Sequence, residues 1–303
     1  MESSTVRQVF TGMGLAVLAT LIWSGNFIAA RAIITHIPPG MLAFFRWITA
    51  SIIILPFAIK HLRTDWAIIK RSPLYLIAAS LTGITLFNTL VYIGAHYTSA
   101  INLALIGTTS SPIFAVILAR IFLNEKIGLR KLVGMILCIC GVLFVLCQGH
   151  FYNLLYLQFT TGDAWALAAA LSFAIYNTLV RQKPAGISST GFLSILFIVG
   201  TLLLLPLVAW ESYNARPVEW SMNLVYVILF LGIGASVISF LCWNIAVSKL
   251  GAGRTALFGN LIPIFSSIEA VIILGEDFTS VHLWSMWLVI TGLLLANWPS
   301  RTK

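Results

Sequence analysis

The sequence predicts an all-α polytopic membrane protein, with ten transmembrane helices arranged as two inverted five-helix repeats. Three observations lead there. Apolar residues make up 59% of the 303-residue chain and charged residues only 9%, whereas a water-soluble domain is about a quarter charged. So few charges cannot coat a globule of this size, and lipid is the solvent that asks for no such coat. The apolar residues gather into runs of about 20, the length that crosses a bilayer as a helix. Finally, "SPIFAVILARIFLNE" at Ser111–Glu125 returns as "IPIFSSIEAVIILGE" at Ile262–Glu276, an offset of 151 residues.

The runs follow in order. The first five are Thr11–Ile34, Gly40–Ile59, Pro73–Ala95, Ile101–Leu123 and Leu132–Gln148. The second five are Gly162–Val180, Thr190–Trp210, Met222–Ser248, Ala252–Leu274 and Val281–Trp298. Most gaps are short, so neighbours form antiparallel hairpins. The longest gap, Gly149–Thr161, carries Phe151, Tyr152, Leu154, Leu155, Tyr156 and Phe159 and suits a membrane surface. It divides the chain into a first repeat, 1–148, a connector on the outer side, 149–161, and a second repeat, 162–303. The first run is longer than the core of a secretory signal and has a counterpart in the second half, so it is read as a retained helix.

Formal charge is +9, from 18 basic and 9 acidic residues. The bases form no patch interleaved with aromatics, so no nucleic-acid partner is expected. They sit in the gaps between apolar runs. With the amino terminus in the cytoplasm, the inner side collects Arg7, Lys60, Arg63, Lys70, Arg71, Lys126, Arg130, Lys131, Arg181, Lys183, Lys249, Arg254, Arg301 and Lys303. The outer side collects Arg216 alone, and Arg31, Arg46 and Arg120 lie within helices. Such asymmetry orients membrane helices. It places both termini in the cytoplasm and supports ten spans independently of hydropathy. Cys138, Cys140, Cys147 and Cys242 lack CxxC spacing and partner histidines, so neither a disulfide framework nor a metal site is expected. There is no HExxH, GxSxG or P-loop. The chain is expected to be neither an enzyme nor a cofactor protein.

At the 151-residue offset, eight of 24 positions agree between 104–127 and 255–278. The same offset pairs Asn26 with Asn177, Gly83 with Gly234, Thr85 with Ser236, Asn88 with Ser239 and Tyr92 with Trp243. Five is an odd number, so the two halves enter the membrane with opposite sense. That gives a pseudo-two-fold axis in the membrane plane, the architecture of secondary transporters with alternating access.

The repeated Pro-Ile-Phe with Glu 11 residues beyond it, and "PPGMLAFFRWITA" at Pro38–Ala50, resemble the EamA domain of the drug/metabolite transporter superfamily. The likeness spans the whole chain as a tandem pair and is strongest to YddG-type exporters of aromatic and other neutral amino acids. The resemblance implies a ten-helix carrier of the plasma membrane, a bacterial inner membrane, exporting a small-molecule substrate. It also implies a central site framed by helices one, three, four, six, eight and nine, and a monomer suffices to enclose it. The second half lacks a counterpart of Arg46.

Candidate residues follow from polar side chains in apolar runs, which are disfavoured against lipid. Thr85, Asn88, Tyr92 and His96 share one helix face, and Ser236, Ser239 and Trp243 repeat that stripe. Both stripes either line a pore or tie helices together. Trp23 falls near mid-bilayer in "WSGNF", with Asn26 on its face, and Asn177 with Tyr176 forms the counterpart. Rings beside amides suit a neutral solute with a flat apolar body and a polar end; packing is the other reading. The candidate site is therefore Trp23, Asn26, Thr85, Asn88, Tyr92, Tyr176, Asn177, Ser239 and Trp243. Pro112 and Pro263 each interrupt a helix midway, as hinges or packing kinks. Glu269 is the one acidic residue deep in a run. It either carries a proton or pairs, structurally or as a gate, with Arg46 or Arg31.

Two rival functions remain in view. A multidrug or nucleobase-like exporter would share the fold, but cationic drugs want an anionic centre. The small multidrug relatives have a glutamate in the first helix, where this chain has Ser24, Gly25 and Asn26. A channel or intramembrane enzyme would be a different class. The inverted repeat opposes the first, and the missing nucleophile–base pair opposes the second.

Overall fold

A computed structural model describes residues 2–33, 36–97, 100–125, 127–147, 149–156, 160–274 and 279–297. Within these residues every regular element is helical, and the pieces join into ten rods. In the first half they are α1 (Glu2–Ile33), α2 (Pro39–Arg71), α3 (Pro73–Ser80, Leu81–Leu86 and Phe87–Tyr97), α4 (Ala100–Phe122) and α5 (Leu129–Leu146). In the second half they are α6 (Thr161–Arg181), α7 (Ser189–Asn214), α8 (Met222–Leu229, Phe230–Ile238 and Ser239–Leu250), α9 (Ala252–Leu257, Phe258–Asn260 and Leu261–Leu274) and α10 (Ser280–Asn297). A 3₁₀ turn, Phe151–Tyr156, lies between the halves. Among the described residues seven stretches are long and apolar enough to cross a membrane. Phe57, Leu74, Leu129 and Ile272 point outward unpaired, as lipid permits and water does not.

Helix α2 outruns its apolar stretch. It continues through Arg71, because loss of apolarity marks the end of lipid and not the end of the backbone ladder. Its start is fixed by Glu211 of α7, whose carboxylate accepts from Gly40 N and Met41 N, both at 2.8 Å. An acceptor with negative charge satisfies the orphan donors of a helix N-terminus.

The offset of 151 is visible in the backbone. The middle piece of α3, Leu81–Leu86, and that of α8, Phe230–Ile238, are both π-helical, and the offset lays one inside the other. A π-turn pushes carbonyls out of the i→i−4 ladder. Neighbouring helices meet them: Ser172 donates to Thr82 O at 2.8 Å, and Trp23 Nε1 donates to Ala235 O at 2.8 Å.

Helices α5 and α10 cross as a pair of small-residue faces. A Cβ added to Gly134 would stand 2.5 Å from Gly292 O, and one added to Gly292 would stand 2.6 Å from Gly134 O. Cys138 meets Val289 O at 3.6 Å, and Ser285 donates to Gly141 O at 2.7 Å. Under the offset Cys138 maps onto Val289, Gly134 onto Ser285 and Gly141 onto Gly292. The Cys138–Val289 contact therefore maps onto itself and the Gly134–Gly292 contact onto Ser285–Gly141, as at a two-fold axis. Small residues let membrane helices approach this closely.

The prolines behave differently in the two halves. Helix α9 breaks into a 3₁₀ turn at Phe258–Asn260, just before Pro263, because the proline ring removes a ladder bond and crowds the carbonyl four residues back. Helix α4 runs unbroken through Pro112. Glu276, expected to cap or pair at the end of the ninth span, lies outside the described residues.

Candidate substrate-binding site

All nine candidate cavity residues are buried, from Trp23, Asn26 and Thr85 at 8% exposed to Tyr176, Asn177 and Ser239 at 0%. Seven of them gather into two polar clusters joined by aromatic rings. Thr85 and Ser239 do not join. Thr85 Oγ1 donates to Gly200 O of α7 at 3.0 Å, and Ser239 Oγ donates back to Gly234 O in its own π-turn at 3.0 Å. Thr85 thereby ties α3 to α7, whereas the Ser239 bond stays within α8.

The first cluster centres on Arg46, which is 1% exposed. Its Nε donates to Ser236 Oγ at 2.7 Å. Its NH1 donates to Asn26 Oδ1 at 3.0 Å, Asn88 Oδ1 at 2.9 Å and Tyr92 OH at 3.1 Å. Its NH2 donates to Ala235 O at 3.1 Å. The guanidinium also lies 5.0 Å from the Trp47 ring centre. The π-turn of α8 makes this possible by turning Ala235 O out of its ladder toward α1 and α2.

The second cluster joins α6 to α8. Trp243 Nε1 donates to Asn177 Oδ1 at 2.7 Å, and Tyr176 OH donates to Asn244 Oδ1 at 2.8 Å. Between the clusters the Trp23 ring lies 4.9 Å from Trp243, 5.6 Å from Phe240 and 5.7 Å from Phe173. The symmetry-related amides thus do related work: Asn26 accepts from Arg46, and Asn177 accepts from Trp243.

The expected ion pair of Glu269 with Arg46 does not form. Glu269 Oε1 lies 2.7 Å from Ser24 Oγ, while its Oε2 is buried without a partner. The reason is helical geometry: Ser24 and Asn26 stand about 200° apart around α1. Arg46 approaches one face of α1 and Glu269 the other. The side chain of Arg31 lies outside the described residues. Ser24 Oγ is also 2.6 Å from Leu21 O, so its single proton serves one acceptor at a time. An ionised Glu269 takes that proton in a hydrogen bond, and a neutral Glu269 can donate to Ser24 while Ser24 donates to Leu21 O.

Sequence reasoning missed Phe173, Phe240 and Asn244. It offered Arg46 only as a partner for Glu269. Phe173 stands one helical turn before Tyr176 and Asn244 follows Trp243, so helical spacing from the chosen residues was the available signal. For Arg46 the signal was its polar company at the offset, Asn26 and Asn88 in one half and Ser236 in the other.

Comparisons with known proteins place the chain in a family. The EamA-like transporter family profile matches residues 10–147 and again 160–298. The uncharacterized transporter YyaM of Bacillus subtilis is 26% identical over 287 residues, covering 93% of this chain and 92% of that one. A probable terminal-alkyne amino-acid exporter of Streptantibioticus cattleyicolor is 24% identical, covering 93% and 91%. A probable amino-acid metabolite efflux pump of Salmonella typhimurium is 24% identical, covering 95% of each. One crystal structure superposes with a TM-score of 0.75 at 15% identity over 96% of this chain and 97% of its own; that likeness speaks to the fold. With the profile matched twice over nearly the whole chain, the protein belongs to the EamA-like transporter family, as a multi-pass membrane transporter of a small-molecule substrate.

Proposed function

We propose that the protein exports amino acids, aromatic and other neutral ones, by alternating access across a bacterial inner membrane. In this reading all ten rods span the bilayer, both termini are cytoplasmic, and one chain is the working unit. The repeats 1–148 and 162–303 are joined on the outer side by 149–161. The observation that carries the reading is the buried ring cluster of Trp23 and Trp243, 4.9 Å apart, flanked by Asn26 and Asn177. It offers faces for a flat apolar body and amides for a polar end. The names of two relatives, a probable terminal-alkyne amino-acid exporter and a probable amino-acid metabolite efflux pump, support the same class. A guanidinium at the centre opposes cationic drugs as cargo.

Because these residues are buried, a solute reaches them only when helices part. At the lysine- and arginine-rich end, Glu125 at the end of α4 accepts from Ala252 N of α9 at 3.2 Å and pairs with Lys131 Nζ at 3.2 Å. Opening toward that side separates this contact, with Pro112 and the break before Pro263 as the bending points. Glu269, with its two hydrogen-bonding arrangements, is the coupling group.

The test is counterflow in proteoliposomes loaded with unlabelled phenylalanine or threonine, following labelled uptake without a proton gradient. Transient accumulation is expected. Folded protein that accumulates neither would overturn the amino-acid reading. Glu269→Gln is expected to keep this exchange and to lose its acceleration by an imposed pH gradient.

A further inference from the structure

Among the described residues Arg46 is a buried cation without an anion. Its five hydrogen bonds all end on neutral oxygens, and the described residues offer it no carboxylate. Neutral dipoles replace part of the lost hydration of a guanidinium, but they leave its charge uncompensated in a medium where compensation matters most.

The ring around it has a consistent polarity. Asn26 and Asn88 turn Oδ1 inward and Tyr92 its hydroxyl oxygen, each accepting from a group that can only donate. That fixes the amide orientations. Each side chain therefore presents a donor on its far side. Asn88 Nδ2 is buried without an acceptor, as are Trp47 Nε1 beside the guanidinium and Asn177 Nδ2 in the second cluster. Tyr92 keeps its own O–H to give, and one N–H of Arg46 NH2 is still unused. The centre is thus rich in donors and short of acceptors. Its complement is a group with several oxygens and a negative charge.

The inverted repeat also gives this receptor a direction. The offset places Phe197 where the second half would need an arginine. Phe197 packs 5.1 Å from Trp47 and 6.0 Å from Phe240. At this one position the first half places a cation and the second a ring.

We propose that Arg46, with the outward donors of Asn26, Asn88 and Tyr92, binds the carboxylate of the transported solute, whose apolar body lies toward Trp23, Trp243 and Phe240. The assignment rests on the central site of the exporter reading and deepens it: the required group is a carboxylate on an apolar body, and an amine alone does not suffice. On binding, the carboxylate accepts from the donors that have no partner, and the guanidinium gains its counter-charge.

The experiment uses the full chain in proteoliposomes and, separately, thermal stabilisation in detergent. Three solutes share one ring system: phenylalanine, 3-phenylpropionate with the carboxylate only, and phenethylamine with the amine only. Phenylalanine and 3-phenylpropionate are expected to stabilise the protein and phenethylamine to bind at least about 10-fold more weakly, the scale of one charge-assisted hydrogen bond. Asn88→Asp supplies a resident carboxylate. It is expected to fold as well as the parent and to lose at least about 10-fold in solute binding. Were Arg46 purely structural, Asn88→Asp would bind solute normally. That result would overturn the proposal, as would equal binding of the amine and the two carboxylates. Stabilisation by 3-phenylpropionate without exchange of any amino acid would uphold the carboxylate receptor and sink the exporter reading, so the two fail separately.

Discussion

Gly83→Ala tests whether the centre is packed as described. A Cβ at position 83 would stand 2.2 Å from Tyr176 Cδ2, 2.6 Å from Cγ and 2.7 Å from Cε2. Ordinary contact begins near 3.4 Å, so the ring must recede by about 1.2 Å. Tyr176 is 0% exposed and its hydroxyl reaches Asn244 at 2.8 Å; a shift of that size breaks the bond. Overpacking costs about 1–3 kcal/mol, and stranding a buried polar group costs about 1–3 kcal/mol more. Against this, replacing a helical glycine by alanine gains about 0.5–1 kcal/mol. The loss wins by about 1–5 kcal/mol, which at about 2–4 °C per kcal/mol for a chain of this class lowers Tm by several degrees. The assay is thermal unfolding in detergent with a thiol-reactive dye, since Cys138 and Cys147 are buried until the helices separate. Gly83→Ala combined with Tyr176→Ala should recover most of the alanine penalty, as contacting pairs in a double-mutant cycle do. A single Gly83→Ala that melts at or above the parent temperature would refute the packing of α3 on α6.

Other outcomes follow from the same structure. Gly292→Val drives a branched side chain into the Gly134 backbone, where a Cβ alone already meets the carbonyl at 2.6 Å; it should abolish the monodisperse peak in fluorescence-detected size-exclusion chromatography. Glu125→Ala removes the acceptor of Ala252 N and leaves Lys131, 7% exposed, without its partner. The expected loss is about 2 kcal/mol or more in thermal unfolding, and Glu125→Gln, which keeps the acceptor oxygen, should lose less. Trp243→Phe keeps a ring but removes the donor to Asn177, so counterflow is expected to weaken by about fivefold, the equivalent of roughly 1 kcal/mol; unchanged exchange would detach that pair from the transport site.

The sequence by itself determined the helices and the repeat. Helix existence was legible because lipid forces every backbone group into an internal hydrogen bond and every outward side chain to be apolar. Those two demands write about 20-residue runs that no packing detail can disguise. The offset of 151 was legible because two halves of one ancestral pattern keep their polar exceptions in register, Asn26 with Asn177 and Tyr92 with Trp243.

Partner choice was decided only by the tertiary structure. A stripe of polar residues says that a face avoids lipid, not what it meets. Thr85 and Ser239 share stripes with Asn88 and Trp243, yet they bond to backbone carbonyls while the others join the two polar clusters. The π-turns at Leu81–Leu86 and Phe230–Ile238 decide much of this. They change the helical phase by a fraction of a turn and turn Ala235 O toward Trp23 and Arg46. A hydropathy pattern with period 3.6 carries no trace of such a shift. Glu269 and Arg46 show the same division. One-dimensional depth made them a plausible ion pair, and the rotation of about 200° between Ser24 and Asn26 around α1 put them on opposite sides of a helix. Depth along a span is a property of the sequence, whereas azimuth relative to nine other helices exists only once they are packed.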